Sequence, residues 1–383
     1  MNYWEVSLMD CQIKITDNKA VWKIQAALAL IFLLNPFLGV LSTLFFVFVS
    51  KEKSMAFYLV IILTLFMWCL QSTRSFHLGE PSDWAGNYYY NFHNAAITDT
   101  LTYLFFTTKE YAWQAFNLIG YYLFDGDFLS YANFIVALTY MFTFAAIYKF
   151  WNYIQADPRF LVASLCLFAF VTEVNGICNN LLRQQFAMSM MLYAIIERCT
   201  NGRILYPLLV ISFFTHTMTG FFIPFLFIRL GKKASFRFYI YIVLGFGLLY
   251  ILFTNLSIFS SSSFYAFQRL ATASNAYALK DIIQPSAVYP FLAVTVILYV
   301  KAFFFDSERR KCELYINNLF LILISMCLLM TSMPLMQTRY FIIRFFFMPL
   351  VVPYFFTALL FDNCSAVLCF PLFQHTIYLV GFF

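Results

Sequence analysis

Arg183 stands in the stretch NNLLRQQFAMSMM, residues 179–191, with two asparagines before it, two glutamines after it, and a long apolar helix beyond. A guanidinium is planar, always charged, and able to make paired hydrogen bonds to phosphate. Arg74 follows an apolar run, His216 lies within FFTHTMTGFF, and Arg339 lies within QTRYFIIRFF. Ionisable groups inside apolar segments are costly and usually face an interior cavity. These residues together could line a polar cavity that holds an anion. Each also has a plainer reading. Arg74 could snorkel to an interface. Arg183 could pair with Glu173. His216 could be a core histidine donating to a carbonyl. Glu110 could cap a surface helix. Arg339 and Arg344 are five apart and do not share a helix face.

The elements that would carry these residues follow from composition. Of 383 residues, 62% are hydrophobic and 11% charged. A soluble domain carries about 25% charged residues, so a solvated surface cannot be built from this chain. It reads as an all-α, polytopic helical membrane protein forming one integral membrane domain, residues 1–383. The net charge of +6 comes from loop Lys and Arg and points to no nucleic acid. The nine cysteines show no CxxC or Cys/His ligand spacing, and no signal peptide or lipidation motif is visible.

Spans are expected near 24–49, 55–72, 129–149, 160–178, 181–197, 238–255, 288–305, 314–332, 340–361 and 364–382, in a bundle of about 10–12 transmembrane helices. The first contains Pro36 and Gly39 and is expected to kink. Lys51, Lys53, Lys149, Arg159, Arg198, Arg203, Arg229, Lys232, Lys233, Arg237, Arg309, Arg310 and Lys311 fall on one side, which is then cytoplasmic. Lys14, Lys19 and Lys23 conflict with that orientation. Splitting 24–49 at Pro36 into a re-entrant pair removes the conflict. Residues 111–124 read as a half-buried helix on the outer face. Residues 204–228 have basic residues at both ends, so they must enter and return, with His216 at the turn. The remaining charges, Arg74, Asp83, Lys109, Glu110, Glu173, Arg183, Arg269, Lys280, Asp281, Arg339 and Arg344, then gather toward the outer half.

The order of these features is familiar. Arg74 precedes SDWAGNYYYNF. KEYAWQAFNLIGYYL, NNLLRQQFAMSM, FFTHTMTGFF and TRYFIIRFFFMPL follow. The chain resembles the EpsG-like branch of Wzy-type bacterial polysaccharide polymerases over about residues 55–360, with Thr215-His216-Thr217-Met218 where a Phe before and a Ser after the His would be usual. The resemblance implies a GT-C-like fold in the bacterial inner membrane. It implies joining of undecaprenyl-diphosphate-linked oligosaccharide donor and acceptor at the periplasmic face, in O-antigen or capsule synthesis. A chain-length regulator and a flippase would be its partners, with the bilayer around it.

That reaction passes through an oxocarbenium-like state with a diphosphate leaving group. Fixed cations can neutralise it: Arg183 first, then Arg74, Arg339, Gln184 beside them, and His216. No DxD pair offers a metal site, so no metal and no cofactor are expected. Glu110, Asp83 or Glu173 could take the acceptor proton, Glu110 being favoured, and His216 is the alternative base. Trp84, Tyr88, Tyr89 and Tyr90 could stack on sugars, although such residues are common at membrane interfaces. A lipid-linked oligosaccharide flippase and an O-antigen ligase are the competing readings. A flippase should show charges in both membrane halves and paired repeats, and the sequence shows neither.

Overall fold

Asn35 and Gly39 shape the first pair of helices. Asn35 Oδ1 accepts from the backbone N–H groups of Phe37 and Leu38 at 3.1 Å each, capping a helix that begins at Pro36, where a missing N–H costs nothing. A Cβ on Gly39 would collide with the Phe32 backbone seven residues earlier. In a straight helix such residues are about 10 Å apart, so the chain has turned back on itself. Helices α1 (Asn18–Leu34) and α2 (Pro36–Ser50) therefore form a hairpin. Its arms of 17 and 15 residues are about 25 and 22 Å long, short of the ~30 Å hydrocarbon core. The expected 24–49 helix is thus two helices. The bend, at Asn35, is deeper than the expected kink.

The computed structural model describes residues 18–50, 52–74, 77, 83–106, 110–171, 181–228, 244, 245, 248, 288–290, 293, 310–329 and 334–359. Most of the expected spans 238–255 and 288–305, all of 364–382, and Lys14, Lys109, Glu173, Arg269, Lys280 and Asp281 lie outside them. Among the described residues the structure is helical and has no strand. Among the described residues three helices are long and apolar enough to cross a membrane: Ser54–Ser72, Phe128–Ile154 and Lys311–Leu328. Large apolar side chains of the first face outward, Phe57, Ile61, Leu65 and Trp68, as does Met141 of the second. A helix that shows such residues to its surroundings suits lipid rather than water.

The chain forms two compact units, Met1–Ile196 with Tyr206–Thr219, and Glu197–Leu205 with Gly220–Phe383. In the first, α3 (Lys53–Ser72) packs along α7 (Phe128–Ile154), with Phe57 and Tyr148 in contact. α7 doubles back into α8 (Pro158–Phe170) through Gln155 at φ 53°. Asp157 caps α8 by accepting from Arg159 N and holds the Arg159 side chain in an ion pair at 2.7 Å. Trp151 on Phe160 and Tyr140 on Phe168 fix the antiparallel register. Beside them lie α4 (Tyr89–Ile97), α5 (Thr100–Phe106) and α6 (Tyr111–Leu123). Next come α9 (Leu182–Asn201) and α10 (Tyr206–Thr215).

In the second unit α12 (Arg310–Leu329) and α13 (Pro334–Leu359) are antiparallel. Gln337 donates to Cys327 O at 2.9 Å, and Phe320 stacks near Phe347. Pro349 and Pro353 sit inside α13, tolerated where neighbouring helices satisfy freed carbonyls. α11 (Ile223–Phe227) is short. Its last carbonyls take Tyr315 OH on Phe225 at 2.7 Å and Arg198 Nε on Leu226 at 2.9 Å. Arg198 Nη1 also donates to Gly202 O at 2.6 Å.

α6 is inverted relative to a helix of a soluble protein. Its buried face is Trp113, Gln114, Asn117 and Gly120, while Ile119, Tyr122 and Leu123 are exposed. At 13 residues it is about 20 Å long, too short to span. Gly120 lets the Tyr131 ring of α7 lie directly on its backbone, where any Cβ would collide with the ring. Gly120→Val should therefore destabilise the protein by about 1–3 kcal/mol. Gly86→Ala, where nothing lies within 4 Å, should leave the thermal melt in detergent unchanged.

Candidate functional site

The buried polar face of α6 is an anchored network. Tyr131 OH donates to Asn117 Oδ1 at 2.9 Å, and Asn117 Nδ2 reaches Gln114 Oε1 at 3.4 Å. Tyr103 OH donates to Asn91 O at 2.6 Å, tying α5 to α4. Buried amides are tolerable only when bonded in this way. Asp125 and Gly126, at φ 49° and 77°, make the left-handed turn from α6 into α7, and Asp127 caps α7 by accepting from Leu129 N at 3.0 Å. The network and the turn hold α6 in one orientation, with Glu110 at the head of the helix.

Arg183, in the first turn of α9, meets Glu110 there. Its Nη1 lies 2.5 Å from Glu110 Oε2, and the two side chains are 21% and 14% exposed. Such a pair is largely out of water, where an unpaired charge is strongly unfavourable. Arg183 Nε is buried and meets no acceptor among the described residues. The N-terminal end of α9 also carries partial positive charge, which favours an anion beside it. Gln184 and Gln185 are buried in the same turn.

Tyr88 joins this pair to the segment around Asp83. Residues Trp84–Tyr88 form a single wide helical turn ahead of α4. The Tyr88 ring stands edge-on to Trp113 at 5.8 Å. Burial pushes the Tyr88 hydroxyl up to about 12. The Arg183 charge and a hydrogen bond from its backbone oppose that rise, while Asp83 and Glu110 add to it. The phenol thus stays protonated, a neutral donor beside charged neighbours. Arg74 lies over the Trp84 ring at 4.3 Å to the centroid, and Phe128 meets that ring edge-on. A stacked guanidinium offers its edge, where the N–H groups lie, to an anion. Residues 74, 83–88, 110–113 and 183 thus form one cluster in the first unit.

His216 interrupts the chain between α10 and the 3₁₀ turn Thr217–Phe222. It is buried, and its Nδ1 accepts from Met218 N at 3.3 Å. A neutral imidazole that accepts at Nδ1 carries its proton on Nε2, so this ring presents a donor. Ser212 Oγ bonds Ala187 O at 2.8 Å, holding α10 to α9. Phe214, two residues before His216, packs on Tyr111, the neighbour of Glu110.

The expected site residues therefore divide. Arg74, Asp83, Trp84, Tyr88, Glu110 and Arg183 come together. His216 follows a helix end that lies against α6. Of the four expected sugar platforms, Trp84 and Tyr88 are buried with their rings covered, Tyr89 is half-buried against Tyr90, His93 and Phe128, and Tyr90 is 58% exposed. Arg183 pairs with Glu110, and Glu173 lies outside the described residues. Arg339 is half-buried on α13 in the second unit. Arg344 there is 1% exposed, stacked on Phe341 and Phe345, and donates to Phe341 O at 3.1 Å. Trp113, Asn117 and Tyr131 were not singled out from sequence. The spacing of Gln114, Asn117 and Gly120 on one face of an apolar helix was the available signal. Among the described residues no three His, Cys, Asp or Glu side chains gather as metal ligands would.

The ion pair predicts a measurable coupling. Arg183→Met and Glu110→Gln should each lower the melting temperature in detergent. The double variant should lose less than their sum, with a coupling of about 1–3 kcal/mol. Strict additivity would show that the pair does not matter to folding. Residues 57–383 match the EpsG family. No curated protein and no solved structure matches the chain.

Proposed function

The chain belongs to the EpsG family of Wzy-type polymerases, and on that premise we propose that it joins undecaprenyl-diphosphate-linked oligosaccharide repeats at the periplasmic face of a bacterial inner membrane, in O-antigen or capsule synthesis. The family and the apolar helices together give a membrane protein with a polysaccharide polymerase-like, glycosyltransferase-like role. The observation that carries the finer reading is the convergence of Arg183, Arg74, Tyr88 and Glu110 on one cluster.

In this mechanism a hydroxyl of the acceptor repeat attacks the anomeric carbon of the donor glycan. The C–O bond to the diphosphate breaks, and the hydroxyl proton passes to Glu110. The leaving diphosphate gains negative charge as it departs, so fixed cationic donors lower the barrier more than a proton would. Arg183 and Arg74 supply them, with Gln184 in the same turn as Arg183 assigned as a further diphosphate ligand. His216 carries its proton on Nε2 and so suits a donor to the leaving oxygen better than a base. Asp83, exposed and beside Tyr88, is the second carboxylate available to the acceptor. Tyr90 is the aromatic face able to stack on a sugar. Neutralisation by arginine assigns no role to a metal. The bond from Arg198 to Leu226 O, with that to Gly202 O, brings the ends of the His216 segment together and supports its in-and-out path.

Arg183→Ala should abolish long glycan chains on a surface-polysaccharide gel and leave single-repeat caps, with the protein still inserted. Normal chain lengths would reject the assignment. Loss of every band would indicate a ligase or flippase instead. Arg183→Lys should also be poor, because a point charge cannot replace the planar fork. Activity of the purified protein should survive EDTA. Complete loss with rescue by Mg²⁺ would overturn metal independence.

A further inference from the structure

The Arg183–Glu110 ion pair sets two tasks of the proposed reaction against each other. Arg183 is to hold a diphosphate and Glu110 is to accept a proton, yet here each is occupied by the other. A carboxylate paired with a cation keeps its charge and is a poor base. The pairing is also incomplete. A guanidinium edge can take two oxygens side by side; Glu110 Oε2 lies on Nη1, while the buried Nε, whose N–H shares the other edge with Nη2, has no acceptor among the described residues. A diphosphate, with oxygens on two phosphorus atoms, is large enough to take the Nε–Nη2 edge and also the Nη1 that Glu110 now holds, with the end of α9 behind them.

We infer that Glu110 occupies the anion site of Arg183 until a diphosphate displaces it, and that this displacement turns the carboxylate into the base of the transfer. The inference rests on the polymerase reading above and deepens it. The cluster holds two cations, Arg74 and Arg183, against Asp83 and Glu110. A diphosphate arriving at Arg183 removes Glu110's partner and adds negative charge beside it, and both changes favour its protonated form. Glu110 then takes the proton of the acceptor hydroxyl as the new glycosidic bond forms and the C–O bond to the diphosphate breaks. When the diphosphate leaves, Glu110 returns to Arg183 and releases the proton to water. The base therefore exists only while donor is bound, so an empty site does not activate water.

The test uses the full-length protein in detergent, with farnesyl diphosphate as the binding probe and lipid-linked repeats for turnover. Glu110→Gln should bind the probe about tenfold more tightly than the parent, because the competing carboxylate is gone. Its turnover should fall by at least about a hundredfold, with a lowered donor KM. A merely structural role would weaken binding and turnover together. Glu110→Asp keeps the charge but shortens its reach, so it should bind the probe a few-fold more tightly and keep part of the turnover. It decides the matter if the Gln variant fails to accumulate. Arg183→Ala should lose probe binding. If Arg183→Ala loses binding while neither Glu110 variant gains it, the displacement is wrong and the diphosphate site stands. If Arg183→Ala binds like the parent, the assignment of Arg183 itself fails.

Discussion

A charge removed from water must find a partner, and in this protein that demand organises the first unit. Arg183 and Glu110 are 73 positions apart in sequence, and each is mostly buried. Each offsets the cost of holding the other's charge away from water. Glu110 must stand at the head of α6, so α6 must be fixed in rotation and depth. Asn117, Gln114, Tyr131 and Gly120 fix it through side-chain bonds and a backbone in contact with a ring. Arg183 must stand at the head of α9, and Ser212 on Ala187 O and Phe186 against Phe142 hold that helix in turn.

The surroundings of the pair show how a membrane protein builds a polar site. α6 turns its amides inward and its leucine and isoleucine outward, the reverse of a helix in water. Trp84 and Tyr88 are used as walls: one carries Arg74 on its face, the other stands against Trp113 and takes a backbone bond from Arg183. Aromatic rings suit this task because they fill space and still accept a cation or present a single hydroxyl. The cluster thus supplies cationic edges, a neutral phenol and a carboxylate in one low-dielectric place. Those are the groups that a transfer with an anionic leaving group requires.

Much of this is legible in the sequence. The apolar runs at 55–72, 129–149 and 314–332 correspond to helices because runs of that length leave the backbone no other way to satisfy itself in lipid. The breaks were legible at Pro36, whose ring cannot continue a helix, and at His216, in a run of threonines and glycine. That 111–124 holds a short helix and not a span was legible from the parity of the spans on either side of it. What the residues did not disclose was pairing. Glu110 stands out in the sequence as a base or a helix cap and not as the partner of Arg183, because a contact between residues 73 positions apart leaves no mark in local spacing. The covered rings of Trp84 and Tyr88 were equally hidden, since an exposed platform and a buried wall use the same residue types.

The sequence by itself determined the solvent, the helical class, the family and the roster of groups able to do chemistry, because those depend on composition, run length and local order. Tertiary structure alone decided which roster members meet, which proton His216 carries, and which rings remain open. Those are outcomes of packing between distant segments: the rotation of α6 by Asn117 and Gly120, and the few ångströms separating a guanidinium from a carboxylate.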